Sequence, residues 1–360
     1  MKRVLFLLLA SLLLYSSCKK TSIPKSSVAL YFPSTTGTEW ETTSPVDLGW
    51  NLTELNSLYT YLQSKNTKAF IILKNGKIVT EQYFGTFTRD SLWYWASAGK
   101  TVTSLLVGIA QQEGKLNIQL PTSQYLGNGW TSAPQSKEQL ITVKNQLTMT
   151  TGLDDGVVDA DCTLPTCLQY KADAGTRWAY HNSAYTLLDK VIENATGSTF
   201  NQYYQNKLRD RIGMNGFWIK SVNSNNVLYS NARSMARFGL LLLNKGKWST
   251  TAILGDENYF NSMVSTSQNL NLSYGYLTWL NGKSSSMVPG FQTVFPVQLI
   301  PNAPTDLYAA LGKNDQKVYV VPSQNLVIIR MGNAAGTPQF AVSGFDNELW
   351  GKLRLIIGGW

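Results

Sequence analysis

The chain has 360 residues, 43% of them hydrophobic, with 31 Lys and Arg against 22 Asp and Glu and a formal charge of +9. This is ample apolar material for one large domain or two lobes, and charged residues at 15% are too sparse for a disordered polyelectrolyte. The single histidine excludes zinc centres built on two or three histidines, and neither HExxH nor paired CxxC occurs. No metal or other cofactor is expected, and a Ser-His-Asp triad would have to use His181.

Residues 1–17 read as an export signal, with Lys2 and Arg3, an apolar core over residues 4–14, and Ser16-Ser17 before Cys18. The apolar run is shorter than the ~20 residues that span a bilayer. A cysteine directly after two small residues resembles the lipobox of bacterial lipoproteins, with Tyr15 in place of the usual leucine. That resemblance implies lipidation of Cys18 and a membrane partner through the lipid. Residues 18–45 mix Ser, Thr, Pro and Gly and read as a flexible tether. The expected location is therefore the bacterial cell envelope, exported and lipid-anchored, facing the periplasm or the cell surface. Positive charge suits an anionic envelope surface. No helix clusters Arg and Lys with interleaved aromatics, so nucleic acid is not an expected partner. In an oxidising compartment Cys162 and Cys167, which enclose residues 163–166, are candidates for a disulfide, with two free thiols as the alternative.

The folded part begins at residue 46. Residues 47–64 carry Leu52, Leu55, Leu58 and Leu62 at helical spacing behind Asn51. Residues 69–73 and 78–84 flank Asn75-Gly76, a strong hairpin signal. Residues 101–113 read as an apolar helix ended by Gly114. Helices and loops follow, including an apolar helix at residues 184–192 and the pattern Gly239 to Leu243. Residues 318–321 and 326–331 form another antiparallel pair, and residues 346–357 a final amphipathic helix. Strands at both chain ends with helices between predict an α+β fold. One antiparallel sheet would be built from both ends and flanked by the first and last helices, with an inserted, mostly helical lobe over residues 115–285.

Chemistry concentrates at Trp93-Tyr94-Trp95-Ala96-Ser97-Ala98-Gly99-Lys100, which runs into the apolar helix. If Ser97 opens that helix, Lys100 lies one turn on, within reach of its hydroxyl. Burial would lower the lysine pKa and leave a neutral amine as base, while the helix end favours a developing oxyanion. Ser-x-x-Lys alone is weak, since Ser16/Lys19, Ser17/Lys20 and Ser22/Lys25 also match. On the motif alone, a capping serine beside a solvated lysine is an equal reading.

The stretch from Ser97 to Gly108 resembles the nucleophile helix of serine β-lactamase-related hydrolases, which include class C β-lactamases, penicillin-binding carboxypeptidases, esterases and nylon-oligomer hydrolases. Further resemblances follow in order. Gln146-Leu147-Thr148-Met149-Thr150-Thr151-Gly152-Leu153 is similar to the LLTMTSGL segment. Gly175 to Asn182 is similar to the Tyr-x-Asn segment, and Ala232 to Gly239 to a later scaffold helix. Together they cover most of residues 46–360, and the branch of nylon-oligomer (6-aminohexanoate-dimer) hydrolases looks nearest. The resemblance implies a β-lactamase/penicillin-binding-protein-like fold and gives Tyr180 a share of proton transfer and Asn182 a hold on the lysine and the substrate. His181 takes the variable place between them and reads as a loop or cleft-rim residue, with a His181 triad as the minor alternative.

The family's third motif, Lys-Thr-Gly or His-x-Gly, corresponds here to Lys313-Asn314-Asp315 before Gln316. Asp315 would repel a substrate carboxylate if it faced the cleft, and the glycine that permits close backbone approach is missing. Backbone N–H groups of Ser97 and Gln316 are expected as the oxyanion hole, with Asn182, Lys313 and Trp178 against the substrate. Trp93, Trp95, Trp178 and Tyr180 would line an aromatic cleft. The expected activity is cleavage of a small ester or amide through an acyl-enzyme on Ser97. A catalytically silent envelope-binding lipoprotein, a D-alanyl-D-alanine carboxypeptidase and a β-lactamase are the alternatives. The sequence does not indicate oligomeric state.

Overall fold

The computed structural model describes residues 29–337 and 341–360. The export signal, Cys18 and the first part of the tether lie outside the described residues. The second part of that tether is a correction. From residue 29 on, the chain is fastened to the domain: the Tyr31 amide donates to Asn75 O, the Trp40 indole to Gly76 O, and the Thr43 amide to Ile78 O. Ser and Thr dominate this stretch, but Trp40 is buried, and a single buried indole outweighs polar composition.

Helix α1 (Leu52–Ser64) starts where Asn51 caps the Glu54 amide and buries Leu55, Leu58 and Leu62. Strands β1 (Thr67–Lys74) and β2 (Lys77–Tyr83) meet at Asn75-Gly76, both at positive φ as the tight turn requires. After helix α2 (Gly99–Gln112) the chain enters the lobe, then returns through helix α3 (Ala232–Leu243). Strands β3 (Trp279–Leu280), β4 (Tyr308–Gly312), β5 (Gln316–Val321) and β6 (Leu326–Gly332) and helix α4 (Gly344–Ile357) complete the sheet domain.

The sheet order is β2-β1-β6-β5-β4-β3, with every neighbouring pair antiparallel. Both chain ends contribute, as the sequence predicts, because β1 pairs with β6 from Thr67↔Gly332 to Lys74↔Leu326. The fold is α+β and β-lactamase/penicillin-binding-protein-like. Strands β4, β5 and β6 are buried along their whole length, so the sheet is covered on both faces. Helices α1 and α4 pack together on one side, and α3 lies against β6, β5 and β1. Gly239 in α3 permits that packing, since a side chain there would run into Val327. The helix lies within the 115–285 span assigned to the inserted lobe, yet it belongs to the sheet layer. Two strands of the lobe, Asn226–Ser230 and Phe217–Lys220, form a three-stranded sheet with Trp93–Tyr94, which precedes α2.

A buried ionic cluster braces the sheet end nearest Ser97. Lys317 Nζ lies 3.2 Å from Asp315 Oδ1 and 2.8 Å from Asp346 Oδ2. Asp315 also accepts from the Ala335 amide at 2.9 Å and the Ser343 hydroxyl at 2.7 Å. Burial pushes the Asp315 carboxyl up, but Lys317, Ser343 and the Ala335 amide outweigh it and hold it below the usual range. Asp315→Ala is expected to lower unfolding stability by about 3 kcal/mol, at the low end for breaking a buried ion pair because Asp346 remains with Lys317. Urea unfolding of the purified variant measures this; a loss under about 0.5 kcal/mol would mean the cluster contributes little.

Candidate active site

Ser97 sits in a 3₁₀ turn (Ala96–Ala98) that leads directly into α2. Its neighbour Ala96 has φ +46°, a strained conformation for alanine, which turns the chain sharply from the Trp93–Tyr94 strand into the helix. Trp95 anchors the turn from beneath: it is fully buried, with its indole N–H donating to Ser230 Oγ at 2.7 Å.

Lys100 follows one turn later and is buried at 1% exposure. Its Nζ lies 2.9 Å from Ser97 Oγ and 2.9 Å from Asn182 Oδ1. The amine also stands over the Tyr185 and Tyr180 rings, 3.9 and 4.9 Å from their centroids. Burial lowers its pKa to about 7, with Asp161 pulling the other way. Near neutral pH a large fraction of Lys100 is therefore a free amine beside a serine hydroxyl.

Tyr180 and Asn182 come from the segment that enters the Asn182–Thr186 helix, and His181 caps that helix through Nδ1, accepting the Ala184 amide. The Gln146 to Leu153 segment holds Tyr180 in place: the Ala179 amide donates to Met149 O at 2.9 Å. Tyr180 stacks on Trp279 at 5.6 Å. Burial pushes the phenol well above its ordinary pKa, against weaker opposing effects of Ser97 and Trp279, so it stays protonated and can relay a proton. Asn182 Nδ2 donates to Asp161 Oδ1 at 3.0 Å.

Ser97, Tyr180 and Asn182 open into a cleft of about 540 Å³. Its other walls are Asp155 and Ala160, Pro289 and Gly290, then Lys313 and Ala341. Asp155 is held by Arg177 at 2.6 Å. Lys313 is exposed at the rim.

Several expectations change. His181 is neither at the rim nor part of a triad: it is buried, its pKa falls to about 4 mainly through burial, and its Nδ1 is spent on the cap. Trp178 does not face the substrate; it is 1% exposed, packed under Tyr180, Tyr274 and Trp279. Trp93 and Trp95 are likewise absent from the cleft, whose walls are mostly small side chains. Gln316 is fully buried and does not line the cleft, and its side-chain amide ties the ends of β5 and β6 through Gly332. Asp315 points away from the cleft into the ionic cluster, so it does not repel an anionic substrate.

The close backbone approach is not lost either. Asn314 and Asp315 both adopt positive φ, so they hold a conformation that glycine favours. The Arg330 guanidinium fixes this turn by donating to Asp315 O at 2.8 Å and Asn314 O at 3.2 Å. Gly312 makes the approach: a Cβ there would overlap Trp95 O and lie 3.1 Å from the Ser97 amide nitrogen. Sequence reasoning missed Gly312, Asp161, Tyr185 and Trp279, none of which belongs to a local motif. Cys162 and Cys167 form a disulfide in the loop that carries Asp161.

The Beta-lactamase family model matches residues 64–349. The chain belongs to this family. Solved structures agree in fold across the β-lactamase-like sheet and lobe. A provisionally assigned 6-aminohexanoate-dimer hydrolase from Bacillus anthracis superposes with a TM-score of 0.66 at 18% identity, covering 88% of this chain and 86% of its own. A provisionally assigned beta-lactamase from Bacteroides dorei gives 0.67 at 17% identity, covering 86% and 100%. A provisionally assigned penicillin-binding protein of Bacillus subtilis is 28% identical over 159 residues, 40% of this chain and 39% of its own length. The family assignment gives a hydrolase fold.

Proposed function

We propose that the protein is a serine hydrolase that cleaves a small ester or amide through an acyl-enzyme on Ser97. The observation that carries this reading is the buried Lys100 amine, 2.9 Å from both Ser97 Oγ and Asn182 Oδ1 at the floor of an open cleft. Ser97 Oγ attacks the carbonyl carbon while its proton passes to Lys100 Nζ. The tetrahedral intermediate collapses, the bond to the leaving group breaks, and the leaving atom takes the proton through Tyr180. Water then attacks the acyl carbonyl and restores Ser97, with Lys100 and Tyr180 again moving the proton.

The oxyanion would be held by the Ser97 N–H and the Lys313 N–H, in place of Gln316. Lys313 lines the cleft and follows the glycine that touches the Ser97 backbone, whereas Gln316 is buried behind it. The Lys313 side chain, at the rim, would contact the substrate alongside Asn182. In this reading Cys18 carries the lipid that keeps the enzyme at the cell envelope, and the Cys162–Cys167 disulfide suits an oxidising location.

Treating the full chain with a fluorophosphonate, followed by intact mass and peptide mapping, tests the mechanism. One adduct, on Ser97, is the expected result. A chain that stays unlabelled while small chromogenic esters also go uncleaved would favour a catalytically silent binding protein.

A further inference from the structure

Asn182 can serve Lys100 only in one of its two amide orientations. The oxygen must face the amine, because an NH₂ group there would oppose the hydrogens of the ammonium and, with the neutral amine, would occupy the lone pair that Ser97 needs. Nothing in the side chain itself selects this orientation. The selecting group is on the far side: Asp161, acceptor-only as a carboxylate, takes Asn182 Nδ2 at 3.0 Å. The result is a directed chain in which Asp161 accepts from Asn182, and Asn182 accepts from Lys100, with Ser97 at the end. With one N–H committed to Asn182, the lone pair of the neutral amine is free to turn to the Ser97 hydroxyl.

Asp161 is itself fixed. Its amide donates to Asp159 Oδ1 at 3.0 Å, and the preceding carbonyl, Ala160 O, accepts from Ser183 Oγ at 2.9 Å. On its other side, Cys162 is bonded to Cys167, and the Thr163 amide donates to Asn223 O at 2.9 Å. The loop thus meets the start of the Asn182–Thr186 helix at two adjacent residues, Asn182 and Ser183.

We infer that Asp161 is a positioning residue for the general base, orienting the Asn182 amide and setting the charge beside Lys100. The inference rests on the Ser97–Lys100 reading above. The other ionisable groups around the amine are the Tyr180 and Tyr185 phenols beneath it. Across the cleft stand Lys313 and Asp155, the latter paired with Arg177. Asp189 lies beyond Tyr185 in a 2.8 Å pair with Lys220. Asp161 is the group whose charge favours the protonated amine directly, opposing burial.

The sign follows. Lys100 acts as a base only when neutral, so acylation falls on the acid side of its titration. Removing the Asp161 charge removes a stabiliser of the protonated form and moves that fall to lower pH. Asp161→Asn keeps an oxygen for Asn182 Nδ2 while it removes the charge and adds an N–H donor; Asp161→Ala removes both charge and acceptor.

The experiment is the rate of Ser97 labelling by a fluorophosphonate in the full chain, from about pH 5 to about pH 9. Asp161→Asn is expected to shift the acid limb down by about one pH unit, with its plateau within about threefold of wild type. Asp161→Ala is expected to lower the plateau at least about tenfold, because Asn182 is no longer held. An Asp161→Asn profile superimposable on wild type would overturn the inference, whatever the alanine variant does. Absence of Ser97 labelling in wild type would instead defeat the mechanism on which it stands, and the inference with it.

Discussion

Lys100→Met is expected to slow acylation of Ser97 by about 10³-fold and to abolish the acid limb of its pH profile, an effect in the range for loss of a general base. Methionine keeps the length and burial of the side chain, so α2 and the Tyr185 packing survive while the amine is gone. In the wild type the rate should fall about tenfold for each unit below about pH 7, where the buried amine becomes protonated, and level off above it. Lys100→Arg should be as slow as methionine, since a guanidinium keeps its proton throughout this range. Pre-steady-state labelling with a fluorophosphonate reads all three proteins. A methionine variant within about tenfold of wild type, retaining the limb, would show that another group takes the serine proton.

Gly312→Val is expected to cost about 10²-fold or more in acylation of Ser97 and about 1–3 kcal/mol in stability. The strand end passes so close to the nucleophile turn that even a Cβ overlaps the Trp95 carbonyl oxygen and crowds the amide nitrogens of Ser97 and Ala98. Trp95 is buried and bonded to Ser230, and α2 is buried along most of its length, so the turn has little room to yield. Strand β4 must move, and the Lys313 N–H moves with it, away from the oxyanion. Labelling rate and urea unfolding separate the two effects. A valine variant that labels at the wild-type rate would remove the Lys313 amide from the mechanism. Substrate affinity offers no substitute readout, because the contact is between backbone atoms beneath the cleft.

The sequence alone determined those features that depend on residues near one another along the chain. Hairpin β1–β2 follows from Asn75-Gly76, helix α1 from leucines at helical spacing behind Asn51, and the Ser97–Lys100 pairing from one helical turn. The order of motifs gave the family and so brought Tyr180 and Asn182 to the same helix end. What failed depended on which way a side chain faces, which local spacing does not encode. Trp178, Trp93 and Trp95 read as cleft aromatics because aromatic residues line many clefts, yet Trp178 and Trp95 are buried in the core, where the apolar transfer energy of an indole is better satisfied, and half-buried Trp93 packs against Phe87 and Tyr94. The sequence left open whether the Asp315 charge faces the substrate. Lys317, Arg330, Ser343 and Ala335 draw it inward, and three of those four are distant in sequence. Gly312 and Asp161 carried no motif, since their significance lies in a backbone approach to Ser97 and a hydrogen bond to Asn182 that exist only once the sheet and the lobe have packed. The tertiary structure alone decided these, because desolvation, steric overlap and charge pairing are properties of the assembled interior, not of neighbouring residues in the chain.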